Sequence, residues 1–181
     1  MTRAVVVMGV CGCGKSAVAS SLASQFGWRA VDADDLHSRE AVAKMRAGQA
    51  LVDADRFPWL DRVGAVLVEA AAESQGILVA CSALRRIYRD RLRAACPGVR
   101  FVFLDGSREL IACRMAQRRD HYMPTSLLDS QLRTLERPGT DETDVLRIDI
   151  EPPLTAVVRQ ACDVLQLSES AAAESPTEPH P

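Results

Sequence analysis

Residues 4–16 read Ala4-Val5-Val6-Val7-Met8-Gly9-Val10-Cys11-Gly12-Cys13-Gly14-Lys15-Ser16. The first five are apolar and mostly β-branched, the signature of a strand buried on both faces. From Lys15 to Phe26 apolar residues recur at helical spacing (Ala19, Leu22, Ala23, Phe26), and Gly27 is a natural stop. Residues 9–16, between strand and helix, satisfy G-x-x-x-x-G-K-[ST] in full, in the setting that gives this pattern a mechanism. Gly9, Gly12 and Gly14 let backbone N–H groups, including those of Cys11 and Cys13, curl around a phosphate, and the helix N-terminus adds favourable partial charge. Lys15 is expected to reach the β- and γ-phosphates of a nucleoside triphosphate, and the Ser16 hydroxyl to bind Mg²⁺.

Outward from this loop the chain alternates strands and helices. Strands are expected at Arg29 to Asp32, Ile77 to Cys81, Arg100 to Leu104 and Val145 to Asp149. Helices are expected at Arg39 to Ala47, Pro58 to Ser74 (capped by Asp55), Ile87 to Cys96, Ser107 to about Arg118, Ser126 to Leu135, and Leu154 to Leu167. Such alternation predicts a five-stranded parallel sheet covered on both faces, an α/β fold. From Ser168 the chain reads SESAAAESPTEPHP, too poor in large apolar residues to order itself. The expected organisation is one domain over 1–167 and a disordered tail over 168–181.

Composition narrows the function classes. The 181 residues are 48% apolar and 25% charged with a net charge of −2, which argues against a nucleic-acid partner. No apolar run approaches the roughly 20 residues of a membrane helix, and the N-terminus does not read as a signal peptide, so a cytoplasmic protein is expected. Cysteines 11, 13, 81, 96, 113 and 162 contain no Cys-x-x-Cys pair and read as reduced thiols, with metal binding at Cys11 and Cys13 improbable. Against 20 Arg there are only two Lys, Lys15 and Lys44, each worth attention because Arg cannot replace a compact ammonium in a tight site.

The guanine-reading Asn-Lys-x-Asp pattern of a GTPase switch is absent, so adenine is the expected base. After the second strand comes Asp32-Ala33-Asp34-Asp35-Leu36-His37. Residues at the carboxyl ends of such strands face the ligand crevice. A carboxylate there can accept the proton of an attacking hydroxyl or hold a Mg²⁺-bound water.

These segments, together with Lys44-Met45, Asp53-Ala54-Asp55-Arg56-Phe57-Pro58-Trp59-Leu60, Cys81-Ser82-Ala83-Leu84-Arg85-Arg86, Tyr88-Arg89-Asp90, His121-Tyr122-Met123-Pro124, Ser130-Gln131 and Thr134-Leu135-Glu136, resemble the gluconokinase family. The likeness spans about residues 4 to 167. It implies a P-loop kinase-type three-layer sandwich with a mobile lid (about 114–130), a homodimer, and transfer of phosphate from ATP to the C6 hydroxyl of D-gluconate. On that resemblance Asp34 is expected to align and deprotonate the hydroxyl and Asp32 to serve the Mg²⁺ shell, the opposite allocation remaining open. Arg56 can take the gluconate carboxylate with two parallel hydrogen bonds, or serve as an ion-pair partner of Asp53 or Asp55. His37, Ser82, Arg86 and His121 are expected to address hydroxyls or the carboxylate. Arg114 and Arg118, four apart and on one helical face, are expected to close over the transferring phosphate.

Three departures from the family pattern involve five residues. Cys11 and Cys13 stand where Ser is usual, Asp120 where a small residue is commoner, and Arg85-Arg86 replace lysines. A helix N-terminus and Lys15 beside the two loop cysteines lead to the expectation of a reactive thiolate at one of them, with Cys81 and Cys162 buried and slow. Shikimate kinase is the nearest enzyme alternative, sharing the loop, paired aspartates and a carboxylate-binding Arg. A non-catalytic ATP-binding regulator is the alternative of another class.

Overall fold

The computed structural model describes residues 3–117 and 125–167. Strand β1 (Ala4–Met8) lies at the centre of a five-stranded sheet with β2 (Arg29–Asp32), β3 (Ile77–Ala80), β4 (Arg100–Asp105) and β5 (Val145–Asp149), in the order β2-β3-β1-β4-β5. All four pairings are parallel, with Val6 opposite Val79 on one side and Phe101 on the other. Helices α1 (Lys15–Phe26), α2 (Arg39–Arg46), α3 (Asp53–Ala72), α4 (Arg86–Ala95), α5 (Arg108–Ala116), α6 (Thr125–Thr134) and α7 (Leu154–Leu165) complete the described elements, with a 3-10 turn over Ala33–Leu36.

The strand period of two divides the core. Val5, Val7, Leu78, Ala80, Val102 and Leu104 face one layer, with α1, α5, α6 and α7. Ala4, Val6, Met8, Ile77, Val79, Phe101 and Phe103 face the other, with α3 and α4. Successive side chains of a strand point to opposite faces, so a continuous apolar run such as 4–8 requires two covering layers. The expected three-layer α/β sandwich is the observed one.

One boundary moves by more than two residues. Helix α3 begins at Asp53, five residues before the expected start, with Pro58 inside it. Asp55 is therefore not the cap. It is the third helical residue, its carboxylate accepting from Val52 N–H (3.1 Å) and from Lys44 Nζ (2.5 Å). Pro58, the sixth helical residue, has no N–H to offer Ala54 O, so α3 gives up one backbone hydrogen bond in its second turn. The segment after β2 coils into the 3-10 turn, where Asp34 N–H donates to Asp32 Oδ1 (3.1 Å). Ser107 caps α5, accepting from Leu110 N–H (3.2 Å). The expected tail (168–181) and the part of the lid from 118 to 124 lie outside the described residues. Among the described residues no helix is long and apolar enough to cross a membrane.

Candidate active site

The phosphate loop leaves β1 at the carboxyl edge of the sheet and enters α1 through Gly14. No side chain caps α1 and no carboxylate stands in its first turn, so its leading N–H groups face the crevice as an anion site. Gly12 has φ +80°, and a Cβ there would lie 2.5 Å from Met115 Cγ of α5. Only glycine tolerates both that dihedral and that approach. Lys15 Nζ, the loop's cation, donates to Val10 O at 3.0 Å, folded across its own loop.

Ser16 Oγ and Asp32 Oδ2 are 2.7 Å apart. Here α1 and the end of β2 bring a hydroxyl and a carboxylate together, an all-oxygen pair that suits a hard cation such as Mg²⁺. Asp34 follows in the 3-10 turn. Desolvation and, next, the neighbouring Asp32 push its carboxyl above the ordinary carboxylate pKa, against the pull of Lys15 and His37. His37 stacks on Trp59, ring centroids 4.5 Å apart and nearly parallel, and Trp59 Nε1–H donates to Ala33 O (2.6 Å). Burial lowers the His37 pKa, and Arg56 and Arg62 lower it further, only partly offset by Asp34. Its Nδ1 is buried without a hydrogen-bond partner among the described residues.

Arg56 is not the ion-pair partner of either neighbouring aspartate. Asp55 is held by Lys44, and Asp53 by Arg85 Nη1 (2.6 Å) and the Tyr88 hydroxyl (2.6 Å). Arg56 Nε donates to Leu51 O (3.3 Å) while its guanidinium lies 5.8 Å from the Tyr88 ring centre. Its two terminal amino groups have no partner among the described residues and remain available for a planar anion. Ser82, two residues beyond β3, lies beside the loop, its carbonyl accepting from Gly9 N–H (3.3 Å). Arg86 is drawn to the surface by Asp141 (2.6 Å) and Asp90 (3.8 Å). Arg118 and His121 lie outside the described residues.

Sequence reasoning missed two parts of the site. One is a slot of about 170 Å³ beside the loop, where Arg114 faces Gly12, Gly14, Ile150, Pro152 and Val157. Arg114 Nη2 donates to Ile150 O (2.6 Å), which fixes its guanidinium over apolar walls, a lining that suits a planar ring. The wall follows β5, some 135 residues from the loop, and carries no motif. The other is buried Arg89, which grips Glu142 through Nε (2.7 Å) and Nη2 (2.6 Å), and reaches the carbonyls of Ala83, Leu84 and Glu136 through Nη1. It thereby supports the turn after Ser82, in which Ala83 has φ +41°.

The expectation of a loop thiolate is overturned at Cys13. Its side chain is 1% exposed and packs in the core, and desolvation raises its pKa more than Lys15 and the neighbouring backbone lower it. A short helix N-terminus does not compensate a thiolate for full loss of water. Cys11 is buried in the same cluster. Cys81 is pushed up to about 12 by burial, as expected of a slow thiol, and Cys162 is buried; Cys113 on α5 is exposed.

A strand-to-helix phosphate loop with a Ser–Asp pair and a second carboxylate at the next strand end defines a P-loop kinase. A family model described as an AAA domain matches residues 5–138. The chain is 42% identical over 161 residues to the thermoresistant gluconokinase of Escherichia coli K12, covering 89% of this chain and 92% of that protein. It is 46% identical over 149 residues to the gluconokinase of Gluconobacter oxydans 621H, covering 82% and 83%. The crystal structure of a gluconokinase from Sinorhizobium meliloti 1021 superposes with a TM-score of 0.81 at 43% identity, covering 92% of this chain and 94% of that one. The chain belongs to the gluconokinase family and carries its ATP-binding P-loop kinase domain.

Proposed function

We propose that this protein phosphorylates D-gluconate at its C6 hydroxyl with ATP, releasing 6-phospho-D-gluconate and ADP. Membership of the gluconokinase family supports the substrate. The observation that carries the mechanism is the continuous arrangement from the phosphate loop to Arg56, in which Ser16 bonds Asp32, Asp32 bonds Asp34 N–H, and His37 lies within the influence of Asp34 and Arg56. This reading makes the loop the phosphate cradle, Asp34 the base, and Arg56, whose terminal amino groups have no partner among the described residues, the carboxylate clamp.

In this reading Lys15 and the loop amides other than those of Gly9 and Cys11, whose N–H groups go to Ser82 O and Gln131 Oε1, hold the β- and γ-phosphates, and the slot under Arg114 takes the adenine. Ser16 and Asp32 would hold Mg²⁺, which neutralises charge on the phosphate oxygens when bound. Arg56 binds the gluconate carboxylate, and His37, Ser82 and His121 address the polyol, whereas Arg86 is engaged by Asp141 and Asp90. The unpartnered His37 Nδ1 can pair with a hydroxyl, which would relieve a costly buried orphan. Asp34 accepts the proton of the C6 hydroxyl as its oxygen attacks the γ-phosphorus. The bond to the β-γ bridging oxygen breaks and ADP leaves with that electron pair. Arg118 balances charge on the transferring group, while Arg114, bonded to Ile150 O, covers the base. The enzyme is further proposed to act as a cytoplasmic homodimer.

The test is ADP release with gluconate, shikimate and nucleoside monophosphates as acceptors, the product being identified by phosphorus NMR. Gluconate-dependent ADP with one 6-phosphogluconate formed per ADP is expected. Turnover on shikimate alone would replace this substrate, and ADP release independent of every acceptor would remove the kinase reading.

A further inference from the structure

We propose that Gln131 is a positioning residue for phosphoryl transfer, acting through the backbone of Cys11; the proposal rests on the kinase reading above. Cys11 N–H donates to Gln131 Oε1 at 2.6 Å, across 120 residues of chain. A backbone N–H can only donate, so the contact assigns the carboxamide oxygen, and not its nitrogen, to Cys11. Cys11 is the third residue of the phosphate loop, and a loop amide at this depth needs an acceptor to keep its orientation.

The helix that supplies this acceptor is itself seated against the loop. Leu128, one turn before Gln131, is fully buried in the core cluster that contains Val10, Cys11 and Cys13. Asp129 accepts from Arg108 Nε (2.7 Å) and Nη2 (3.1 Å), which ties α6 to α5. Helix α5 presses Met115 against Gly12. Adjacent loop residues are thus each held by one member of a linked helix pair, Gly12 by α5 and Cys11 by α6. These two helices flank the stretch that carries the remaining lid residues in sequence. Through Gln131 the position of α6 sets the direction of the Cys11 amide and the curvature of the loop behind it. Displacements of about 1 Å in such positioning groups can cost on the order of 100-fold in rate.

Three full-length variants test this. In Gln131→Leu, similar in volume but without an acceptor, kcat is expected to fall about 10- to 100-fold, with the gluconate KM within about threefold of wild type. Gln131→Glu restores an oxygen for Cys11 N–H and recovers part of kcat, while its charge near the triphosphate raises the ATP KM. Gln131→Leu also weakens binding of a non-hydrolysable ATP analogue several-fold in calorimetry and leaves adenosine binding unchanged. That readout needs no gluconate, so it stands even if the wild-type protein turns over another acceptor. As a third variant, Leu128→Ala loosens the same helix but keeps the acceptor. If its losses in melting temperature and kcat are matched in proportion by Gln131→Leu, the effect is structural and the proposal falls. It falls equally if Gln131→Leu keeps wild-type kcat and analogue affinity, or if Leu and Glu at 131 are equally slow.

Discussion

The Ser16 hydroxyl and the Asp32 carboxylate meet at 2.7 Å, joining the first residues of α1 to the end of β2 across the mouth of the crevice. The sheet order places β3 between the strands that lead to these residues. Only the parallel register delivers both to the same edge, with Asp32 opposite Ala80 of β3 and Val7 of β1 opposite that same Ala80.

Replacing Lys15 with Ala is expected to leave the fold intact and to reduce kcat by about 100-fold or more, since a positioned charge on the transferring group is worth about 2.7–4 kcal/mol. Among the described residues Lys15 Nζ has only Val10 O as a hydrogen-bond partner, so its removal deprives no carboxylate there. Circular dichroism and the coupled ADP assay check both halves. Wild-type-like turnover would remove the phosphate-loop mechanism.

Arg56→Ala should impair use of gluconate far more than ATP binding. A lost hydrogen bond to a charged group costs about 1.5–3 kcal/mol, or roughly 10- to 150-fold in kcat/KM. Because Lys44 and Arg85 satisfy Asp55 and Asp53, the melting temperature should barely change. An unchanged gluconate kcat and KM would reduce Arg56 to a packing residue against Tyr88.

Asp34→Asn keeps the shape of the side chain and removes its basicity, so kcat should fall about 10²- to 10⁴-fold. Retained Mg²⁺-nucleotide binding by calorimetry would separate it from Asp32, whose carboxylate faces Ser16. If Asp32→Asn loses kcat with full nucleotide affinity while Asp34→Asn loses the affinity, the two roles are reversed.

Arg89 and Glu142 form a buried bidentate pair, and removing the cation alone by Arg89→Ala should cost about 3–5 kcal/mol in denaturant unfolding. Hydrogen bonds from Arg89, with Arg93 adding to them, hold the Glu142 carboxyl at about 2. A depressed folded-state pKa means stabilisation that is complete above the unfolded value near 4.5 and is lost as pH falls from there towards about 2. The acid limb of a stability–pH curve should flatten in Glu142→Gln.

A short exposure to a maleimide should label Cys113 first and leave Cys13 and Cys81 unmodified, because the first is exposed and the others are buried with raised pKa values. Peptide mass spectrometry reads the order. Cys11→Ser with Cys13→Ser should retain activity, as the cradle consists of backbone N–H groups. Rapid, ATP-protected labelling at Cys13 would reinstate a reactive loop thiol.

What the chain determines by itself is local. Residues 4–16 carry the strand, loop and helix start in consecutive positions, so periodicity and one motif suffice to read the parallel α/β class and the phosphate site. Asp32 and Asp34 are legible for the same reason, since they directly follow a strand whose end must face the crevice. Gln131, Arg89 and the slot under Arg114 were decided only by tertiary structure. Gln131 is one polar residue on an amphipathic helix until α6 packs against the loop. Arg89 sits on a basic helix until folding closes Glu142 over it. Arg114 gains its apolar wall from residues 150–157, brought there by β5 pairing with β4. The fate of the cysteines followed the same division: sequence neighbours suggested a lowered pKa at one of Cys11 and Cys13, but at Cys13 burial, a property of the whole packed core, set the opposite direction. Hydrogen bonds and desolvation between segments far apart in sequence exist only once the chain is folded, and they leave no spacing rule behind.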